Sequence, residues 1–300
     1  MSAYHTPVLL KESVDALVTN PSGIYADATF GGGGHSAEIL SRLSPDGRLL
    51  AFDRDEDALA NAPKDERLIL VHNNFRFIHN YSLLHAPGGL DGILADLGVS
   101  SHQFDTPGRG FSFRFSAPLD MRMNVQGKRT AADIVNSYTQ EELERILRLY
   151  GEVDSPRRLA KLITDARAKK PVLTTDDLDD AVRPALPVAA EHKVLAKIYQ
   201  ALRIEVNAEM RSLEKFLQGA AEALKSGGRL AVITYHSLED RMVKNFIRSG
   251  RLDGEVHTDI YGRSECPLRP VTRKPVLPAE EEIAANTRAR SAKLRVAEKI

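Results

Sequence analysis

Asp27, the glycines 31 to 34 and His35 lie close together in the stretch YADATFGGGGHS. A β-capable run that ends in an acid and breaks into glycines reads as a buried strand feeding a tight turn. Glycines let backbone N–H groups approach a ligand, and the helix that follows adds its free amides and dipole. Gly32, Gly34 and Ala37 satisfy G-x-G-x-x-A, and Asp53 stands about 20 residues further on, where a strand-end carboxylate can accept from both hydroxyls of a ribose. Taken alone, that pattern fits a dinucleotide. Asp27 argues against it, because a carboxylate there repels a pyrophosphate and favours a ligand carrying an ammonium or a sulfonium. S-adenosylmethionine carries both. Asp96, at the end of DGILADLG, adds a third acid to the same predicted edge.

Strands and helices in alternation must hold these residues. GIYADATF, GRLLAFD, LILVHNNF and DGILADLG read as short apolar strands covered on both faces, with SAEILSRL as a helix after the first. The pattern is α/β and doubly wound. From about Phe104 to Met210 strand signals give way to helix punctuation. Thr139 and Glu142 predict a capping box ahead of Leu143, Ile146, Leu147 and Tyr150, with Gly151 as a stop. Ser155 and Pro156 open the next helix, with Leu159, Leu162 and Ile163 as its buried stripe. The α/β rhythm resumes with a helix near SLEKFLQGAAEALKSGG, the strand RLAVITYH, a helix from about Leu238 and a last strand in SAKLRVAE. RPVTRKPVLPAEEE reads as an extended connection. The expected organisation is an α/β domain, 1–104 and 211–300, interrupted by an all-helical substrate-recognition domain, 105–210.

Composition narrows the class. The chain has 300 residues, 42% hydrophobic and 27% charged, enough for a substantial core. The single cysteine, Cys266, excludes an internal disulfide and a cysteine-rich zinc site, and no metal is expected. Lys11, Glu12 and Asp15 interrupt what would have to be a signal-peptide apolar region, and no stretch approaches about 18 apolar residues. The expectation is a cytoplasmic protein without a membrane partner. Lys+Arg and Asp+Glu balance at 41 each, but SPRRLAKLITDARAKK and the region beyond Arg241 are basic while TTDDLDD is acidic.

HTPVLLKESVDAL, DATFGGGGHS, AFDRD, DLGVSS, RGFSF, PLDMRM, HSLEDR and TRARSAKLR resemble, in order and over nearly the whole chain, the blocks of the bacterial 16S ribosomal RNA cytosine-N4 methyltransferase family, of the MraW type. The resemblance implies a Rossmann-like class I S-adenosylmethionine-dependent methyltransferase with an inserted all-helical domain. It implies methylation of N4 of a cytidine in the decoding region of the small subunit, with cofactor contacts at Gly33, Gly34, His35, Asp53, Phe75, Asp96 and Gln103. Thr287 stands where the family has proline, and so does His102.

Methyl transfer from a sulfonium is an in-line displacement, so the protein chiefly aligns donor and nucleophile and excludes water. An exocyclic cytosine amine is a poor nucleophile, and a hydrogen-bond acceptor beside it would localise its lone pair. Asp96 is the first candidate, with a neighbouring backbone carbonyl or Ser100 as alternatives, and His236 as a possible base. A target base must be turned out of its stack onto aromatic faces. Phe111 and Phe113 of GFSFRF are candidates for that, although core packing explains them equally well. Arg109, Arg157, Arg158, Lys161, Arg288 and Arg290 are candidate phosphate contacts. The partner expected is 16S ribosomal RNA within the small subunit; a homodimer stays open. Two other classes compete: a nicotinamide oxidoreductase, from the glycine pattern plus Asp53, and a non-catalytic RNA-binding assembly factor.

Overall fold

A computed structural model of the chain describes residues 7–60, 62–259, 261–262 and 265–300. His5 and Thr6 of the first family-like block lie outside the described residues, as does the side chain of His102. The chain divides into two compact units, Met1–Gly98 with Met210–Ile300, and Val99–Glu209.

The first unit is built on a seven-stranded sheet: β1 (Ile24–Asp27), β2 (Arg48–Asp53), β3 (Leu68–His72), β4 (Leu90–Asp96), β5 (Leu224–Thr234), β6 (Leu268–Pro270) and β7 (Lys293–Lys299). Their spatial order is β3-β2-β1-β4-β5-β7-β6. The pairs among β1 to β5 are parallel, whereas β7 runs antiparallel to β5 and β6. Before the second unit come α1 (Leu10–Leu17), α2 (Gly34–Arg42), α3 (Glu56–Ala60) and α4 (Ile78–His85). The second unit contains α5 (Ser101–Asp105), α6 (Ala131–Ser137), α7 (Gln140–Leu149), α8 (Pro156–Arg167), α9 (Thr175–Val182) and α10 (Glu191–Asn207). After it follow α11 (Glu209–Ala223), α12 (Ser237–Ser249) and α13 (Glu280–Ala285).

Consecutive residues of β1, β2 and β4 are buried on opposite faces, which is why these strands are largely apolar rather than alternating. Tyr25, Leu49, Leu94 and Ala231 pack with Val14, Leu17, Ile39 and Leu40 of α1 and α2. Their neighbours Ala26, Leu50, Ile93 and Leu230 pack with Phe216 and Leu217 of α11. β5 starts earlier than its sequence suggests: Leu90 pairs with Leu224 and Gly92 with Arg229, so two steps on β4 match five on β5 and the extra residues of KSGG bulge out. It also ends earlier, because Tyr235 and His236 leave the sheet to start α12.

The second unit has its own core, from Leu143, Ile146 and Leu147 of α7, Leu159, Ala160 and Ile163 of α8, and Ile198 and Leu202 of α10. Leu162 is only half-buried, so Ala160 takes the place expected for it in the stripe. The capping box of Thr139 and Glu142 is formed, and Thr130 with Asp133 and Thr174 with Asp177 repeat it at α6 and α9. The acidic TTDDLDD therefore starts a helix, where carboxylates favour the free amides. Among the described residues, no helix is long and apolar enough to cross a membrane.

Candidate active site

β2, β1 and β4 end in Asp53, Asp27 and Asp96. The strand order reverses at β1, with β2 on one side and β4 on the other, and ligands of open α/β sheets bind outside the carboxyl ends of strands at such a point. The turn above β1 needs its glycines. Gly33, the residue that caps α2, has φ of 76°, and a Cβ there would lie 2.9 Å from Phe30 Cζ. A Cβ on Gly34 would lie 2.1 Å from Pro7 Cγ. No side chain caps α2, so its first amides are left for a ligand or solvent.

Asp27 departs from its expected role as a direct ligand contact. It is wholly buried, and its carboxylate accepts from the Ser36 hydroxyl at 2.7 Å and the Thr29 amide at 3.0 Å. Asp53 accepts from the Gly31 amide and the Asp55 amide, each at 2.8 Å, which ties the glycine turn to the end of β2. Burial pushes its carboxyl above the usual range, while those amides pull it back. Asp96 accepts from the Tyr235 hydroxyl at 2.7 Å, and its own amide donates to Thr29 Oγ1 at 2.7 Å. Burial raises the Asp96 carboxyl to about 6, against the opposing pull of His35 and Tyr235.

His35 is buried, and its Nε2 lies 3.2 Å from the Val8 carbonyl. A carbonyl can only accept, so Nε2 carries a proton, and Nδ1 lies 3.8 Å from Asp96 Oδ2, where the ring favours the carboxylate when Nδ1 is protonated too. Phe75 begins a 3₁₀ turn after β3 and meets Phe216 edge-on, with ring centroids 5.2 Å apart. Gln103, in α5 of the second unit, is buried, and its amide donates to Ser100 Oγ at 3.2 Å. Ser100 thus caps a short helix. His236, expected as a possible base, is instead the N-cap of α12: Nδ1 accepts from the Glu239 amide at 3.4 Å, and Nε2 faces Glu239 Oε1 at 3.0 Å. With Nδ1 capping α12 and Nε2 beside the Glu239 carboxylate, His236 serves the start of that helix.

The candidate RNA contacts divide in the same way. Phe111 belongs to the core of the second unit, which corrects its reading as a base-stacking face. Phe113 is half-buried, stacked on His192 at 5.8 Å and edge-on to Tyr199. Arg109 donates to the carbonyls of Arg122 and Met123 at 3.0 and 3.1 Å, so it braces its own loop rather than reaching out as expected. Arg157, Arg158 and Lys161 are exposed on α8 and line a groove with Gln140, Glu144 and Asp154. Arg158 also donates to the Pro184 carbonyl, and Lys161 pairs with Asp165 rather than with the acidic segment of α9. In the first unit, Arg288 and Arg290 lie in the 3₁₀ turn Thr287–Ser291, with Arg290 exposed.

Sequence reasoning missed Tyr235, Thr29 and Ser36, the residues that hold Asp27 and Asp96. Their only signal was short hydroxyl residues flanking the glycines and a tyrosine just past a strand end.

A carboxylate sealed under the glycine turn, with two more at its sides, fits a cationic group and disfavours a pyrophosphate. The sheet order, the antiparallel β7 and this acidic edge define a Rossmann-like class I methyltransferase, whose methyl donor is S-adenosylmethionine. The chain belongs to the MraW methylase family, whose model matches residues 2–300. It is 54% identical over 298 residues to the ribosomal RNA small subunit methyltransferase H of Bacteroides fragilis, covering 99% of this chain and 98% of that one. The protein of the same name from Flavobacterium johnsoniae is 54% identical over 297 residues, with 99% and 98% covered. Membership in a methylase family overturns the nicotinamide alternative.

Proposed function

We propose that this chain methylates the exocyclic N4 of a cytidine in the decoding region of 16S ribosomal RNA, acting in the cytoplasm on RNA of the small subunit. The observation that carries the reading is Asp96: a partly exposed carboxylate at the strand switch point, held at one oxygen by the Tyr235 hydroxyl and with the other 3.8 Å from His35 Nδ1. The names of the relatives, ribosomal RNA small subunit methyltransferases, support the substrate class.

In this reading Asp53 receives the ribose hydroxyls, while Gly33, Gly34, His35, Phe75 and Gln103 complete the cofactor site and Asp27 supplies charge beneath it. When bound, S-adenosylmethionine supplies a methyl carbon made electrophilic by its sulfonium. Asp96 accepts a hydrogen bond from the target amine, which localises the nitrogen lone pair toward that carbon. The N–C bond would form as the donor's S–C bond breaks, with the neutral thioether leaving, and Asp96 would stabilise the cationic amine until a proton leaves to it or to water. The helical unit, through Arg157, Arg158 and Lys161, and the turn bearing Arg288 and Arg290 bind phosphates, and Phe113 is the aromatic candidate for base contact.

Mass spectrometry of small-subunit RNA from a deletion strain, with and without add-back, tests this. The expected result is loss of one N4-methylcytidine, restored by the parent protein. RNA that keeps every methyl group in the deletion strain overturns the reading, and would leave the non-catalytic assembly role.

A further inference from the structure

Tyr235 is the residue that the site uses and that no motif singled out. It stands two positions beyond Ile233, which pairs with Asp96 across β5 and β4, so it projects at the acidic edge just where β5 stops. It is held at three points. Its amide donates to Glu239 Oε2 at 2.9 Å, at the first turn of α12. Its ring lies against Gly98, where a Cβ would come 3.3 Å from Tyr235 Cδ2 and where the backbone has φ of 108°. Its hydroxyl donates to Asp96 Oδ1 at 2.7 Å. The glycine of DLGVSS therefore makes room for the ring, and the ring delivers its hydroxyl to the acid two residues earlier.

We propose that Tyr235 is a positioning residue for methyl transfer: its hydroxyl fixes the orientation of the Asp96 carboxylate and keeps it anionic, holding Oδ1 while Oδ2 faces His35 Nδ1 at 3.8 Å. The proposal rests on the reading of Asp96 as the acceptor for the amine. A phenol hydroxyl suits the task better than a cation. It donates one directional hydrogen bond without neutralising the carboxylate, whereas an arginine would take both oxygens. Burial pushes the phenol of Tyr235 far above its ordinary range, so it stays a donor at every working pH. The charged and titratable groups around Asp96 are His35 from α2, Tyr235 after β5, Asp27 from β1 and Glu239 from α12. Of these, Tyr235 and His35 favour the anion, and the two acids oppose it.

The test is Tyr235→Phe, which keeps the ring against Gly98, in the full-length protein, with a thermal melt to verify folding. In the cofactor-free protein, carbon NMR of labelled aspartate follows the Asp96 carboxyl, assigned by its absence in Asp96→Asn. Its midpoint should rise by about one pH unit when the donor is lost. With small subunits from a strain lacking the methylation, the single-turnover rate at pH 7 should fall about tenfold, and its acid limb should move upward with the same midpoint. An unchanged titration and rate in Tyr235→Phe, with Asp96→Asn inactive, overturns the role of Tyr235 and leaves the acceptor reading standing. A parental rate in Asp96→Asn overturns the acceptor reading and the role of Tyr235 together.

Discussion

In the proposed reading Asp53 serves fold and ligand at once. Its two oxygens already accept from Gly31 and Asp55, yet a carboxylate offers about four lone-pair sites, so capacity remains for ribose hydroxyls. Asp53→Ala should weaken S-adenosylmethionine binding by about 1 to 3 kcal/mol in calorimetry, with a smaller change in turnover at saturation. Unaltered affinity would remove Asp53 from the cofactor site. Asp96 makes a different statement, about stability. Burial lifts its carboxyl to about 6, so the folded protein binds that proton more tightly than the unfolded chain does. The stability linked to it is fully present below about pH 4 and is lost as pH rises through 6, a difference of at most about 3 kcal/mol. Asp96→Asn carries no such penalty. It should melt above the parent at pH 8 and lose that advantage at pH 4; an advantage independent of pH would count against a perturbed carboxyl.

At the scale of elements, helix starts differ in what their side chains contribute. α7 begins with a complete capping box, in which Thr139 Oγ1 accepts from the Glu142 amide and the Glu142 carboxylate accepts from the Thr139 amide. α8 begins with Pro156 in its first turn, and the Ser155 side chain makes no cap. Thr139→Ala should therefore lower the stability of the helical unit by about 1 kcal/mol, whereas Ser155→Ala should change it by only a few tenths. Equal losses in thermal unfolding of the two variants would show that the cap at α7 carries no special weight.

For the molecule as a whole, net charge is zero, yet α8 displays Arg157, Arg158 and Lys161 on one exposed surface. Neutralising all three should weaken binding to small-subunit RNA at low salt while leaving S-adenosylmethionine affinity intact. Each lost phosphate contact should also flatten the plot of log affinity against log salt by about 0.7 to 0.9, the mark of fewer released counterions. The Lys161 pair with Asp165 is exposed and weak, so it does not prevent that contact. A triple variant with the parental affinity and slope would shift the docking surface to Arg288 and Arg290.

The α/β class, the ends of β1, β2 and β4, the glycine turn and the cap of α7 are local properties, and they are legible in the sequence. Strand ends follow from where apolar runs meet an acid or a glycine, and a capping box joins residues only three apart. The same locality explains why GFSFRF misled: alternation shows that Phe111 and Phe113 share a face, but only packing decides that Phe111 enters a core and that Phe113 meets His192 and Tyr199. His236 looked like a base because a strand end is a common place for one, and the start of α12 turned it into a cap. The partners of the acids were hidden for a simpler reason. Tyr235 is 139 positions from Asp96, and Thr29 is 67 positions from it, so those hydrogen bonds exist only after β1, β4 and β5 are registered side by side. Residue type can mark a carboxylate as able to do chemistry. Whether that carboxylate is sealed like Asp27 or presented like Asp96 depends on which neighbours the sheet brings within 3 Å of it.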